Sequence, residues 1–293
     1  MIPFPDLDLP AIHARMRGAV EAVRLPFGSR SWRGQTGNWL GVGLGASIDF
    51  QDHRPYLPGD DPRYINWLAY ARTGQFTMKL YREEVSPSVD LVLDASASMA
   101  ISPAKWMRAV ELFYFSVESA LQAGASLRCS LTLGGDWMIL PLAAVLGHRW
   151  VPDPAAPTLT EPPPLERIPL RHGSLRVWIS DLLFPGAPDP LFRLLTGKQG
   201  RAALFAPFAP AEEAPPWSGN VELIDCESGH RRRQRVPPDL LERYRLAYRR
   251  HFDLWQDLAR KYDVPLARIS AEGDLIRCLY REGLPARAVE TWT

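Results

Sequence analysis

Two kinds of hydrophobic pattern alternate along the chain from about residue 86 onward. Short, almost continuously apolar runs bounded by Pro, Gly and small polar residues are typical of buried parallel strands. Between several of them, apolar residues recur every three or four positions, which predicts amphipathic helices. Strands are expected at 88–94, 127–133, 175–181, 202–205 and 264–269, and the main helices at 103–122, 190–195, 238–262 and 275–280. This alternation predicts an α/β fold with a mainly parallel sheet and helices on both faces.

Other patterns predict elements around this sheet. Gly134-Gly135-Asp136 predicts a hairpin turn, and Glu227-Ser228-Gly229 predicts a second one. The arginine run at 230–235 is interpreted as an exposed arm of the second hairpin, because no aromatic platform for nucleic acid accompanies it. Residues 9–25 have helical spacing and are expected to dock on the same chain, with docking on a partner as the alternative. Residues 76–82 alternate as a strand and are expected to extend the main sheet at its edge.

The composition is that of an ordinary globular protein. The 293 residues are 46% apolar and 23% charged, and the net charge of +1 creates no general attraction for nucleic acid or anionic membranes. No apolar run approaches the roughly 20 residues of a transmembrane helix. The first residues lack a basic region followed by an apolar core, so no signal peptide is expected. The three widely spaced cysteines match neither a disulfide framework nor a zinc site. These properties favour a cytoplasmic protein that neither binds nucleic acid nor inserts directly into membranes.

Polar residues follow two of the predicted strands at the point where each strand ends. Asp94, Ser96 and Ser98 occupy alternate positions after the first strand, and Asp181 ends another. Because the carboxyl ends of parallel strands lie at one edge of a sheet, these side chains are expected close together. Hard oxygen donors of this kind suit Mg²⁺, with Mn²⁺ as the alternative. The competing interpretation is a turn whose Asp and Ser side chains only cap backbone N–H groups.

A second group of charged and aromatic residues lies between positions 49 and 72. The planar guanidinium of Arg can hold a carboxylate through two hydrogen bonds, so charges this close in sequence are expected to pair. The network is either a cluster of ion pairs with a structural role or a surface that recognises a partner. Its members are Arg54, Asp60, Asp61, Arg63, Trp67 and Arg72.

The spacing of Asp94, Ser96 and Ser98 is that of the metal-ion-dependent adhesion site of von Willebrand factor A domains. More widely, residues 41–285 resemble the bacterial "domain of unknown function 58" family, von Willebrand factor A-like proteins associated with MoxR-type AAA+ ATPases. The motifs that carry this resemblance are Asp49-Phe50, Arg54-Pro55-Tyr56, Pro58 to Arg63, Ile65-Asn66-Trp67, Ala71-Arg72, Asp94 to Met99, Ile179-Ser180-Asp181 and Asp225 to Gly229.

We therefore expect three parts: an N-terminal helix and linker at 1–40, a β-rich extension at 41–85 and a domain at 86–293, for which the resemblance implies a von Willebrand factor A-like (Rossmann-like) fold. The resemblance also implies a non-enzymatic protein-interaction module with no catalytic residues. Such proteins are thought to act with a MoxR-type AAA+ ATPase in protein maturation, assembly or remodelling, and other von Willebrand factor A-like or membrane proteins are further possible partners.

By the same analogy, Ser96 and Ser98 would coordinate Mg²⁺ directly. Asp94 and Asp181 would hold it directly or through water, and a partner's acidic residue would fill the open position.

The sequence departs from the family pattern at three places. Asn66 stands where the family usually has Asp, and Glu227-Ser228-Gly229 replaces the Glu-Thr-Gly turn. The adhesion-site threonine has no clear counterpart, and Thr158 and Thr160 are candidates only by their order in the chain.

Three other functions stay open. The chain could be a metal-independent adaptor with a vestigial site. A haloacid-dehalogenase-like phosphohydrolase would use Asp94 as its nucleophile, but Ser96 stands where that chemistry wants a second Asp. A serine hydrolase lacks the Gly-x-Ser-x-Gly elbow around Ser96 and Ser98.

Overall fold

The computed structural model describes residues 7–27, 50–57, 62–81, 87–150 and 163–292. The chain forms two compact units, of which the smaller is Phe27–Ser86 and the larger comprises the residues up to Pro26 and from Pro87 onward. The sequence analysis treated residues 1–40 as one segment, whereas the first helix belongs with the larger unit.

The larger unit is built on a six-stranded sheet of order β11-β8-β7-β4-β5-β6. All neighbouring strands are parallel except β6, which returns antiparallel to β5 through the predicted turn. The strands of this sheet are β4 (Ser88–Asp94), β5 (Ser126–Leu133), β6 (Asp136–Leu140), β7 (Leu175–Ile179), β8 (Arg201–Phe208) and β11 (Leu266–Ser270). The predicted α/β class with a mostly parallel sheet is therefore confirmed.

Helices surround this sheet at close to the predicted positions. Their bounds are α1 (Leu9–Ala19), α3 (Pro103–Gln122), α4 (Leu142–Leu146), α5 (Asp189–Thr196), α6 (Pro210–Glu213), α7 (Pro238–Lys261) and α8 (Leu275–Cys278). In the described part of the chain, no helix combines the length and the apolar character needed to cross a bilayer.

The strand register explains how the core forms. Val92, Trp178 and Leu204 are aligned on β4, β7 and β8, so their side chains share one face of the sheet. There they pack with Phe192 of α5 and Trp255 of α7. The intervening positions point to the opposite face. The long α3 contacts five of the six strands and is buried along most of its length, so its apolar stripe is core.

The two ends of the larger unit are joined. A short β1 (Val23–Arg24) pairs antiparallel with β12 (Glu290–Thr291). The guanidinium of Arg24 lies 2.9 Å from the Glu290 carboxylate and 3.9 Å from the ring centre of Trp292. Helix α1 packs against α3, which confirms that it docks on the same chain.

The described part of the larger unit also contains a two-stranded hairpin. It consists of β9 (Gly219–Ile224) and β10 (Arg231–Val236), which pair antiparallel and form their own sheet. This confirms the predicted hairpin around Glu227-Ser228-Gly229, with the arginine run on an exposed strand.

The smaller unit contains β2 (Phe50–Pro55), β3 (Thr77–Tyr81) and a helix that the sequence analysis did not predict, α2 (Trp67–Thr73). The expectation that residues 76–82 extend the main sheet was wrong, because β3 pairs with β2 in a separate sheet. Asn66 caps α2, since its side-chain oxygen accepts from Ala69 N at 3.2 Å. Asp and Asn are equally good at this position, so Asn66 caps α2 as well as the Asp that the resemblance led us to expect.

Candidate functional site

Asp94 lies at the carboxyl end of β4 and is only 2% exposed. One oxygen accepts a hydrogen bond from Ser96 N at 3.0 Å, and the other accepts one from the Ser180 hydroxyl at 2.7 Å. Burial raises the pKa of this carboxyl to about 6, and the charge of Asp181 adds to the rise. The site therefore holds a carboxylate whose charge is poorly compensated.

Asp181 lies at the neighbouring strand end, just after β7, and is likewise buried. Its Oδ1 accepts from Leu183 N at 3.0 Å. The intervening Leu182 has a φ of 60°, which is an outlier for a bulky residue. His251 on α7 holds this turn, because its Nε2 lies 2.8 Å from the Leu182 carbonyl oxygen. The local backbone thus fixes the direction of the Asp181 carboxylate.

The two predicted seryl ligands lie beside each other. The hydroxyl oxygens of Ser96 and Ser98 are 3.0 Å apart. The backbone N–H of Ser98 donates to Glu227 Oε1 at 2.8 Å, which brings the tip of the β9–β10 hairpin to the loop after β4. Asp225 shapes that tip by accepting from the backbone N–H groups of Glu227 and Ser228.

Lys105, in the first turn of α3, is a site residue that the sequence analysis missed. It is fully buried. Its ammonium donates to the Ser98 carbonyl at 3.0 Å, to Asp181 Oδ2 at 2.7 Å and to Glu212 Oε1 at 2.5 Å. Burial by itself would lower the pKa of Lys105, but the two carboxylates outweigh it and raise that pKa well above its usual value. The site therefore contains a permanent internal cation.

Thr132 was also missed. The register aligns it with Asp94 across β4 and β5, and its carbonyl accepts from Ala95 N at 2.9 Å. Its hydroxyl is buried and has no hydrogen-bond partner within the described part of the chain. Neither Lys105 nor Thr132 stands out by spacing, since each lies within a long buried segment.

A cavity of about 170 Å³ lies at the carboxyl edge of the sheet, between the loops that follow β4 and β7 and the tip of the β9–β10 hairpin. Four carboxylates and the two hydroxyls line it, with apolar walls from Phe184 and neighbouring residues. The polar lining consists of Asp94, Asp181, Asp225, Glu227, Ser96 and Ser98. Among the described residues, the Lys105 ammonium is shared between Asp181 and Glu212 and does not balance the charge of these carboxylates, so the cavity favours an additional cation.

The donor set fits Mg²⁺. Neighbouring ligands of an octahedral magnesium ion, each about 2.1 Å from it, lie about 3.0 Å apart, and the two seryl hydroxyls, which are hydrogen-bonded to each other here, have the same separation. Among the described residues, no group of three or more His, Cys, Asp or Glu side chains could hold a metal ion by itself. The hydroxyls would thus be an essential part of such a site.

The predicted ion-pair network is described only in part. Arg63, Trp67 and Arg72 lie at the surface of the smaller unit. The side chain of Arg54, and Asp60 and Asp61 entirely, lie outside the described residues, as do Thr158 and Thr160. The pairing therefore stays a prediction.

An exposed aromatic cluster occupies the surface of the smaller unit. Tyr70 stacks on Phe76 with 4.3 Å between ring centres, and Trp67 contacts both rings edge-on. Trp67 is 58% exposed.

Part of the chain is similar to a known protein family. Residues 52–152 match the family model described as "Protein of unknown function DUF58". No curated protein matches the chain. Among solved structures, the chain is similar to one described as "Crystal structure of conserved hypothetical protein BatB from Bacteroides thetaiotaomicron", with 12% identity and a TM-score of 0.37 over 69% of this chain and 98% of that one. A likeness this low carries no argument about fold or function. The match over residues 52–152 supports the resemblance that the motifs predicted, to the DUF58 family of proteins of unknown function, in the part of the chain that it covers.

Proposed function

We propose that the chain is a non-enzymatic protein-interaction module with a von Willebrand factor A-like fold, whose cavity docks an acidic residue of a partner through Mg²⁺. One observation carries this proposal. Two carboxylates and two hydroxyls from the ends of β4 and β7 converge on one cavity, in the pattern of an adhesion-type metal site.

Ser96 and Ser98 would hold the ion directly, and Asp94 and Asp181 would hold it directly or through water. When bound, Mg²⁺ would offer an open coordination position to a partner's carboxylate. The chain's own groups prepare the site. Ser180 orients Asp94, and Lys105 neutralises part of the charge on Asp181. The raised pKa of Asp94 is the signature of a carboxylate that a nearby cation would stabilise in its charged form.

The proposed partner is a MoxR-type AAA+ ATPase, with a role in maturation, assembly or remodelling of other proteins. This rests on the family resemblance of the motifs. The exposed aromatic cluster of the smaller unit is a second surface suited to protein contacts, because exposed Trp and Tyr are enriched where proteins bind one another.

The second candidate is a metal-independent adaptor, and Lys105 is the observation that favours it. Its ammonium already binds Asp181 Oδ2 and a carbonyl of the loop that carries the two serines. A resident lysine can order such a loop without a metal ion.

Thermal melting separates the two candidates. We would compare the wild type, Ser98→Ala and the control Ser218→Ala, an exposed serine, each with EDTA and with rising Mg²⁺. A ligand at ten times its dissociation constant stabilises the fold by about 1.4 kcal/mol, a shift of roughly a few degrees. We expect this shift in the wild type and the control but not in Ser98→Ala. The adaptor function is supported if no variant shows a shift in melting temperature up to millimolar Mg²⁺ while a purified MoxR-type ATPase still binds the chain in EDTA.

A further inference from the structure

The outward side of the β9–β10 hairpin carries three arginines in a row. Cross-strand partners share a side of a hairpin, and the six residues on this side are all exposed. On the other side, Val221 and Leu223 are half-buried and Val236 is buried, so the hairpin presents its arginines to solvent. This outward side, the arginine face, consists of Arg231, Arg233 and Arg235 on β10 and of Asn220, Glu222 and Ile224 on β9.

The positive charge of the arginine face is only partly compensated. Glu222 lies 3.5 Å from Arg231 and 3.2 Å from Arg233, so two guanidinium groups share one carboxylate. Within the described part of the chain, Arg235 forms no ion pair. The whole chain has a net charge of only +1. The face therefore concentrates positive charge on a nearly neutral protein, and such a patch attracts anionic partners.

The spacing of the arginines matches that of an extended peptide. Residues two apart on a strand are about 6.6–6.8 Å apart, and alternate side chains of an extended segment have the same spacing. Carboxylates at alternate positions of such a segment can each meet one guanidinium, whose planar fork binds a carboxylate through two hydrogen bonds. Ile224, which is opposite Arg231 and 55% exposed, offers an apolar contact on the same face.

The arginine face begins beside the candidate site. Asp225 and Glu227, in the turn of the hairpin, line the cavity, and Glu227 accepts from Ser98 N at 2.8 Å. Ile224 and Arg231 form the last strand pair before that turn. A segment that places one carboxylate in the cavity can therefore continue along the arginine face.

We propose that the arginine face binds an extended acidic segment of the partner protein, adjoining the residue that docks in the cavity. This inference rests on the proposed function and adds the chemistry of the partner, which carries Asp or Glu at alternate positions. Arginines also attract nucleic acids, but single strands bind largely by stacking bases on aromatic rings. The arginine face contains no aromatic residue, so the observations favour an acidic protein segment.

Fluorescence anisotropy tests the proposal. The probe is a fluorescein-labelled oligoglutamate of about 20 residues, titrated with the full chain in EDTA at low ionic strength, where charge attraction is least screened. We expect the triple variant R231Q/R233Q/R235Q to bind about tenfold more weakly than the wild type, because each exposed ion pair contributes modestly and three are lost.

The matched control is the triple variant R260Q/R281Q/R287Q. It loses the same charge, but these three exposed arginines already pair with carboxylates of their own chain. The control should therefore bind the probe like the wild type. Unchanged melting temperatures confirm that both triple variants fold.

Three results overturn the proposal. One is the absence of binding, and the second is an equal loss of affinity in both triple variants, which would show that only net charge matters. The third is tighter binding of a labelled oligothymidylate of the same length, with the same loss in R231Q/R233Q/R235Q, which would make nucleic acid the ligand.

The Mg²⁺ dependence separates this proposal from that of the cavity. At constant ionic strength, Mg²⁺ should strengthen oligoglutamate binding to the wild type but not to Ser98→Ala. If Mg²⁺ has no effect while R231Q/R233Q/R235Q still loses affinity relative to its control, the metal site fails and the arginine face is supported.

Discussion

Replacing Asp94 by Asn tests the electrostatics of the cavity. Burial, and then the charge of Asp181, raise the pKa of Asp94 from 3.8 to about 6. The folded state therefore holds this proton more tightly than the unfolded chain. Its stabilising contribution is complete below about pH 3.8 and is lost as the pH rises through about 6. At about 1.4 kcal/mol per pKa unit, the charged carboxylate costs the folded state about 3 kcal/mol at neutral pH.

Asn removes the charge and keeps the shape. Its amide oxygen can accept from Ser96 N, and the Ser180 hydroxyl can turn to accept from its NH₂ group. Without metal, we therefore expect Asp94→Asn to be more stable than the wild type at pH 7, by about 1–3 kcal/mol. The difference should shrink towards pH 4, where the wild-type carboxyl is protonated when folded. Excess Mg²⁺ should favour the wild type.

Urea denaturation in EDTA at pH 7 and near pH 4 measures both effects. Asp136→Asn is the control, because the Asp136 side chain is 87% exposed and its substitution should change stability by less than about 0.5 kcal/mol. The reasoning is refuted if Asp94→Asn is less stable than the wild type at pH 7, or if the difference does not depend on pH.

Three further substitutions probe other parts of the structure. Lys105→Met should destabilise the larger unit by about 3–5 kcal/mol in chemical denaturation, because it leaves Asp181 and Glu212 buried without their cation. A loss below 1 kcal/mol would contradict that pairing. Trp178→Ala should cost about 3–5 kcal/mol, since this side chain is 1% exposed in the core between the sheet and α7; calorimetric melting measures it. Asn66→Ala should destabilise α2 by about 1 kcal/mol, whereas Asn66→Asp should not. Amide hydrogen exchange in α2 measures this difference. Equal exchange rates in the two variants would show that the cap is unimportant.

The sequence predicted the parallel sheet well because buried strands and amphipathic helices are local patterns. The burial of a strand such as 88–94 can be recognised from its own apolar residues. Alternation in 76–82 correctly predicted a strand, but alternation says nothing about the partner strand, and β3 pairs with β2. The sequence analysis did not predict helix α2, because its apolar residues, such as Trp67 and Leu68, are exposed and do not form the apolar stripe of an amphipathic helix.

The candidate site was predictable only at its strand ends. Asp94 and Asp181 lie at one edge of the sheet as the order of strands and helices predicts. Lys105 and Glu212, by contrast, are 107 positions apart and meet only through tertiary packing. The same holds for Glu227, which reaches Ser98 across 129 positions. A local pattern can predict a hairpin, but its placement over a distant loop depends on the folded chain.

The pairing of β1 with β12 has a consequence for how the protein is made. Arg24 can pair with Glu290 only after Glu290 has been synthesised, 266 positions later in the chain. At about 5–20 residues per second, a ribosome needs roughly 15–50 s to cover that interval. During this time the residues that end α1 and form β1 have been synthesised, but their closing strand does not yet exist. The larger unit can therefore complete its fold only when translation has reached its last strand, and chaperones have that interval in which to bind the waiting N-terminal segment.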